Sequence, residues 1–190
     1  MKAILMSIRP KYVADILNGI KMFEIRKKFP KDYVGWVYIY CTKDKKYTLE
    51  RNLDEPYDFF TLKDKKHLVF KLDKNHCGYN GKVVARFWCD KVDEFYDFDD
   101  DLCEQACLDR GEMLNYLGDK KGYAIHITKL EIFNKPKEIS EFMKKLDNFD
   151  GINCWRCSNR HNCSFNIDKK CEKLKLTRAP QSWCYVEEGD

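Results

Sequence analysis

The chain has 190 residues, 44% of them hydrophobic and 14% aromatic, which argues for a folded globular protein with one sizeable core and an appendage before two very small domains. No apolar run approaches the roughly 20 residues of a membrane helix and no charged start leads into an apolar stretch, so the sequence reads as soluble, intracellular and cytoplasmic. The formal charge of +4 is too small to name a partner, but residues 1 to 46 hold eleven Lys/Arg against four Asp/Glu while residues 90 to 112 hold ten Asp/Glu against two Lys/Arg. A basic N-terminal region suits a phosphate-bearing ligand.

In chain order, Ala3 to Ile8 is a short apolar run of buried-strand length. Arg9-Pro10 ends it and opens a helix with Tyr12, Val13, Ile16 and Leu17 at helical spacing, stopped by Asn18-Gly19. The stretch from Gly19 to Arg26 is then a turn into a strand. Period-two geometry places Met22, Glu24 and Arg26 on one face and Lys21, Phe23 and Ile25 on the other, with Lys21 at the strand mouth. Phe29-Pro30 closes this strand, and Val34 to Cys41, rich in β-branched and aromatic residues, is the next.

From Thr42 to Lys66 the pattern dissolves into charge, as expected of a surface insertion, with a short strand over His67 to Leu72. His76-Cys77 lies in a turn and lacks metal-ligand spacing. Gly81 to Val92 is the longest strand-like segment, bent midway. The acidic run Asp97 to Asp101 lacks the spacing of a calcium loop and reads as a helix N-terminus. Leu102, Cys103, Ala106 and Cys107 face inward from that helix, and Met113, Leu114 and Leu117 from a second. Gly122 to Phe133 is one strand in which His126, flanked by isoleucines, is read as structural before catalytic. After Pro136 a helix carries Ile139, Phe142, Met143 and Leu146. About six strands interleaved with three or four short helices, without internal repeats, point to an α+β fold with a small mixed, barrel-like sheet.

Four cysteines, Cys154, Cys157, Cys163 and Cys171, fall within 18 positions in the spacing C-x2-C-x5-C-x7-C. A C-x2-C knuckle with two further thiolates completes a tetrahedral zinc set, and a filled set is structural, not catalytic. His161 or Cys184 is an alternative ligand. An iron–sulfur cluster is disfavoured because no C-x2-C-x2-C run is present. The final strand follows Ala179-Pro180. There Gln181 can hydrogen-bond a base, while Trp183 can stack on one or simply close the barrel.

These residues resemble the ASCH domain of the PUA-like superfamily. The resemblance is carried by Ser7-Ile8-Arg9-Pro10, by the G-x-K-x-x-E-x-R signature of Gly19, Lys21, Glu24 and Arg26, by Gly81-Lys82-Val83-Val84-Ala85, and by Tyr123 to Phe133 followed by Pro136. It implies a small β-barrel flanked by short helices over residues 1–150 and a final barrel strand and tail over 177–190, against which the cysteine-rich segment 151–176, read as zinc-binding from its own spacing, looks like an insertion before the last strand. It also implies a cleft beside the signature, in a superfamily associated with RNA and modified nucleobases. Some small ASCH-like proteins are amidohydrolases on N4-acetylcytidine that use a lysine, a threonine and a glutamate. Lys21 matches the lysine, but Glu24 stands where the threonine nucleophile would be, and the Gly81 to Asp90 strand offers no glutamate.

The leading expectation is therefore a binding module for RNA or a nucleotide, with Arg9, Lys11, Lys21, Glu24, Arg26, Gln181, Ser182 and Trp183 in the site. The alternative is a hydrolase of a modified nucleoside or of RNA, with Lys21 and Glu24 catalytic. A third reading makes the zinc-bearing appendage a protein-interaction module.

Overall fold

The computed structural model describes residues 3–52, 59–65, 78–144 and 175–188. The first elements are β1 (Ala3–Ile8), α1 (Pro10–Leu17), β2 (Phe23–Arg26) and β3 (Gly35–Cys41). They are followed by β4 (Tyr47–Asn52), β5 (Phe59–Asp64), β6 (Val83–Cys89) and β7 (Val92–Phe95). The rest of the chain supplies α2 (Asp100–Gln105), α3 (Arg110–Leu117), β8 (Gly122–His126), β9 (Thr128–Lys137), β10 (Phe142–Lys144) and β11 (Trp183–Glu188).

Six strands form one sheet in the order β10-β11-β1-β3-β6-β9. β1 lies inside it, antiparallel to β11 and parallel to β3. Both of its faces are covered, which explains an apolar run in place of an alternating one. Ile4, Met6 and Ile8 point with Val37, Ile39 and Phe87 towards Val13, Ile16 and Leu17 of α1 in the main core. The intervening Ala3 and Leu5 join Tyr38, Tyr40, Val83, Phe142 and Val186 in a second core on the other face. A smaller sheet, β2-β8-β7, packs Ile25 and Ala124 against Cys103, Ala106, Met113 and Leu117 around α2 and α3.

The expected closed barrel is not formed among the described residues, where β10 and β9 are the free edges of an open six-stranded sheet. Two expected long strands are each broken where the chain changes sheet. β6 pairs with β3 and β9, whereas β7, three residues on, pairs with β8. Likewise β8 belongs to the small sheet and β9 to the large one. The break at Ile127 is held by its N–H donating to the Met22 carbonyl at 3.0 Å.

The helix expected around Ile139 and Phe142 is a 3-10 turn, Ile139–Glu141, leading into β10, because Phe142 and Met143 pair with Glu188 and Glu187 at the sheet edge. Leu146 lies outside the described residues, as do His67 to Leu72, His76 and Cys77. The charged stretch after Thr42 is not all surface. Its hairpin β4–β5 buries Leu49 and Phe60 against α1, and the Asn18 side chain both donates to and accepts from the Phe60 main chain at 2.9 Å.

The acidic run behaves as expected: Asp99 caps α2 by accepting from the Leu102 N–H at 2.8 Å. In α3, Met113 and Leu117 are buried but Leu114 is exposed. Among the described residues no helix is long and apolar enough to cross a membrane.

Candidate functional site

A cavity of about 930 Å³ opens where the ends of β1 and β2 meet α1 and α3. Its floor is built by the turn after α1. Gly19 adopts φ +70°, a conformation costly for residues with a Cβ, and this reverses the chain so that the N–H groups of Ile20 and Lys21 donate to the Asp15 carbonyl. The Met22 N–H then donates to the Gln105 carbonyl at 2.8 Å, tying this segment to the end of α2 before β2 begins.

This geometry changes the expected position of Lys21. Since β2 starts only at Phe23, strand alternation does not reach Lys21, and its side chain bends to the same side as Glu24. Lys21 is 2% exposed; its Nζ donates to the Ala106 carbonyl, lies 3.7 Å from Glu24 Oε2 and sits 5.2 Å from the Tyr12 ring centroid. Glu24 Oε1 is 3.0 Å from Arg26 Nη2. Arg26 in turn donates from Nη2 to the Ser7 carbonyl at 2.7 Å and from Nε to Met6 Sδ at 3.3 Å. Lys21, Glu24 and Arg26 thus form one buried chain of alternating charge that ties β2 to β1.

Burial also marks the neighbours. It pushes the Tyr12 phenol up, with Glu112 adding to the effect, and it raises the Asp15 carboxyl against the pull of Lys21. Tyr12, Glu112, Asn115 and Tyr116 complete the wall facing the floor.

Six of the residues expected in the site come together here: Arg9, Lys21, Glu24, Arg26, Gln181 and Ser182 all line the cavity. Lys11 does not, and instead pairs with the lining residue Glu112 at 3.3 Å. Trp183 is not a lining residue either. Its ring packs edge-on to Phe29 and Tyr185, each at 5.5 Å, and its indole N–H donates to the Lys28 carbonyl at 2.8 Å. Ser7 is committed as well, its hydroxyl donating to the Pro180 carbonyl at 2.6 Å.

Among the lining residues that sequence reasoning missed are Lys27 and Lys28, exposed at the cavity mouth, and Tyr116, whose ring lies 5.2 Å from Lys27 Nζ. The signal for the lysines was present as two consecutive cations directly after the signature, whereas nothing local marks Tyr116. The lining carries five cationic side chains, Arg9, Lys21, Arg26, Lys27 and Lys28, against the carboxylates Glu24 and Glu112.

Cys154, Cys157, Cys163, Cys171 and His161 lie outside the described residues. The alternative ligand Cys184 is half-buried in β11 opposite Leu5, where burial raises its thiol. Among the described residues no group of three or more His, Cys, Asp or Glu is placed to hold a metal. Cys103 and Cys107 do not share a helix face, because α2 ends at Gln105 and Cys107 has φ 50°. His126 is half-buried outside the cavity, its Nε2 2.7 Å from Asp93 Oδ2 and its ring 4.6 Å from Phe23.

Neither a protein-family model nor a curated protein matches the chain. In fold it is similar to the crystal structure of ASCH from Zymomonas mobilis, with TM-score 0.50 and 14% identity over 97% of this chain and 87% of that one. A serine-to-alanine mutant of the same Zymomonas mobilis protein gives TM-score 0.50 and 12% identity, over 97% of this chain and 88% of that one. At such identity the likeness speaks for the fold, a sheet-rich α+β arrangement with few helices.

Proposed function

We propose that this chain is an ASCH-type, PUA-like binding protein that holds RNA or a nucleotide in the cavity beside Gly19, Lys21, Glu24 and Arg26. The observation that carries the reading is the cavity's charge: five cationic side chains against two carboxylates in a volume of about 930 Å³, bounded by Tyr12 and Tyr116. Such a site suits a phosphate with a planar, hydrogen-bonding base attached. The fold likeness to solved ASCH proteins and the sequence signature support the same assignment. Fluorescence anisotropy with labelled single-stranded RNA across a salt series tests it. Affinity should fall as salt rises, and salt-independent or absent binding would remove the reading.

A hydrolase on a modified nucleoside or on RNA is favoured by one feature, the buried Lys21–Glu24 contact of 3.7 Å opening on a large cavity. A carboxylate beside an ammonium can accept a proton while the lysine offsets developing negative charge. Turnover of an acylated cytidine or of labelled RNA that vanishes in both Lys21→Met and Glu24→Gln would establish it.

The cysteine-rich segment is proposed as a structural zinc appendage held by Cys154, Cys157, Cys163 and Cys171, inserted into the binding domain. Its flanks support an insertion, since Lys175 bridges to Met143 and the Leu176 N–H donates to the Phe142 carbonyl at 2.9 Å. One zinc per chain by elemental analysis, lost in Cys154→Ser/Cys157→Ser, is the expected result.

A further inference from the structure

The hydrogen bonds around the signature divide the cavity into two parts with different tasks. Each signature charge is already engaged: Lys21 with the Ala106 carbonyl and Glu24, Glu24 with Lys21 and Arg26, Arg26 with Glu24 and the Ser7 carbonyl. A phosphate placed on this floor would stand beside the Glu24 carboxylate, like charge against like in a poorly solvated place, and would draw Arg26 away from its partners. Arg9, Lys27 and Lys28 line the same cavity but are exposed at its mouth. There an ammonium exchanges water for a phosphate oxygen without abandoning a buried partner.

The mouth is also braced. Trp183 holds the Lys28 main chain through its indole N–H at 2.8 Å, and Phe29, the next residue, is buried against that same indole. We propose that Arg9, Lys27 and Lys28 form a cationic lip that recognises the phosphate of the ligand, whereas Lys21, Glu24 and Arg26 are positioning residues that shape a floor for its uncharged part. This rests on the reading of the cavity as a nucleotide or RNA site. The phosphate can come from a mononucleotide or from a single-stranded RNA backbone, the chemistry recognised being the same.

The test compares the whole wild-type chain with Lys27→Gln/Lys28→Gln, Lys21→Met and Trp183→Phe. The probes are tripolyphosphate, cytidine, cytidine 5′-monophosphate and a short oligouridylate. For Lys27→Gln/Lys28→Gln, loss of at least about tenfold in affinity for the phosphate-bearing probes at low salt is expected. The slope of log affinity against log salt should fall by roughly 1.4 on the oligonucleotide, about 0.7 per released contact, at unchanged Tm. Lys21→Met should lower Tm and weaken cytidine and its monophosphate by the same factor, leaving the salt slope in place. Trp183→Phe keeps an aromatic ring beside Phe29 and Tyr185 but loses the bond to Lys28, and should weaken the phosphate-bearing probes more than cytidine.

Preference for the monophosphate or the oligonucleotide identifies the source of the phosphate. Tripolyphosphate binding that needs the lip, without binding of either nucleotide probe, keeps the lip and removes the nucleotide reading. Phosphate binding that survives Lys27→Gln/Lys28→Gln overturns the lip, and so does failure of every phosphate-bearing probe to bind the wild type. A salt slope lost in Lys21→Met at wild-type Tm would reverse the two roles.

Discussion

Arg26 meets Glu24 at 3.0 Å with the two side chains 11% and 7% exposed, while Arg86 meets Glu131 at 2.7 Å with side chains 28% and 48% exposed. The second contact is the shorter. It lies across the open face of β6 and β9, where Arg86 also covers the Trp36 ring at 4.2 Å and water competes for both charges. The first lies almost fully buried on the cavity floor, shares its carboxylate with Lys21, and has main-chain carbonyls as further acceptors. Burial, not distance, decides how much depends on such a pair: inside, the loss of one member strands its partners' charge, and outside, solvent takes its place.

The largest expected effect follows from stranding charge. Glu24→Gln leaves Lys21 and Arg26 buried without their anion and should destabilise the chain by about 3 kcal/mol in urea unfolding, at unchanged m-value. Replacing all three together, Lys21→Met/Glu24→Leu/Arg26→Met, removes the charges along with the need to compensate them. It should recover most of that loss. A triple variant no more stable than Glu24→Gln would mean that the ion network, and not the burial of the segment, holds β2 in place.

Buried thiols extend the contrast to pH. Cys41 and Cys89 are both fully buried, and burial pushes each thiol from the usual 9.0 up to about 12, Asp44 adding to the effect at Cys41. Unfolded thiols lose their protons near 9 while the folded ones keep them. Their contribution to stability is therefore complete below pH 9 and is lost as pH rises towards 12. The Tm should fall across that range, less steeply in Cys41→Ala than in wild type; equal slopes would show that Cys41 ionises without unfolding. The smallest effect belongs to the exposed pair, where Glu131→Gln should change stability by less than about 1 kcal/mol and lose even that in high salt.

How much of the site was legible follows from how local each feature is. The α1 stop, the Gly19 turn and the common face of Glu24 and Arg26 depend on backbone preferences and two-residue alternation within one short stretch, and the structure keeps all three. Lys21 broke from the pattern because alternation holds only inside a paired strand, and β2 begins two residues later at Phe23. Trp183, a plausible stacking platform in sequence, turned out to brace Lys28 from a strand 155 residues away.

By itself, then, the sequence determined the buried character of β1, the helix that follows it, the glycine reversal, the Asp99 cap and the basic lean of the N-terminal region. Each rests on neighbours within a turn or two of chain. Only the tertiary structure decided where β6 gives way to β7 and β8 to β9, and why Phe142 is in a strand. The physical reason is that edge and partner are properties of pairing between segments remote in sequence, which no local periodicity encodes. The same pairing turned the signature inward, saturating its charges, and left Arg9, Lys27 and Lys28 to face the solvent at the cavity mouth.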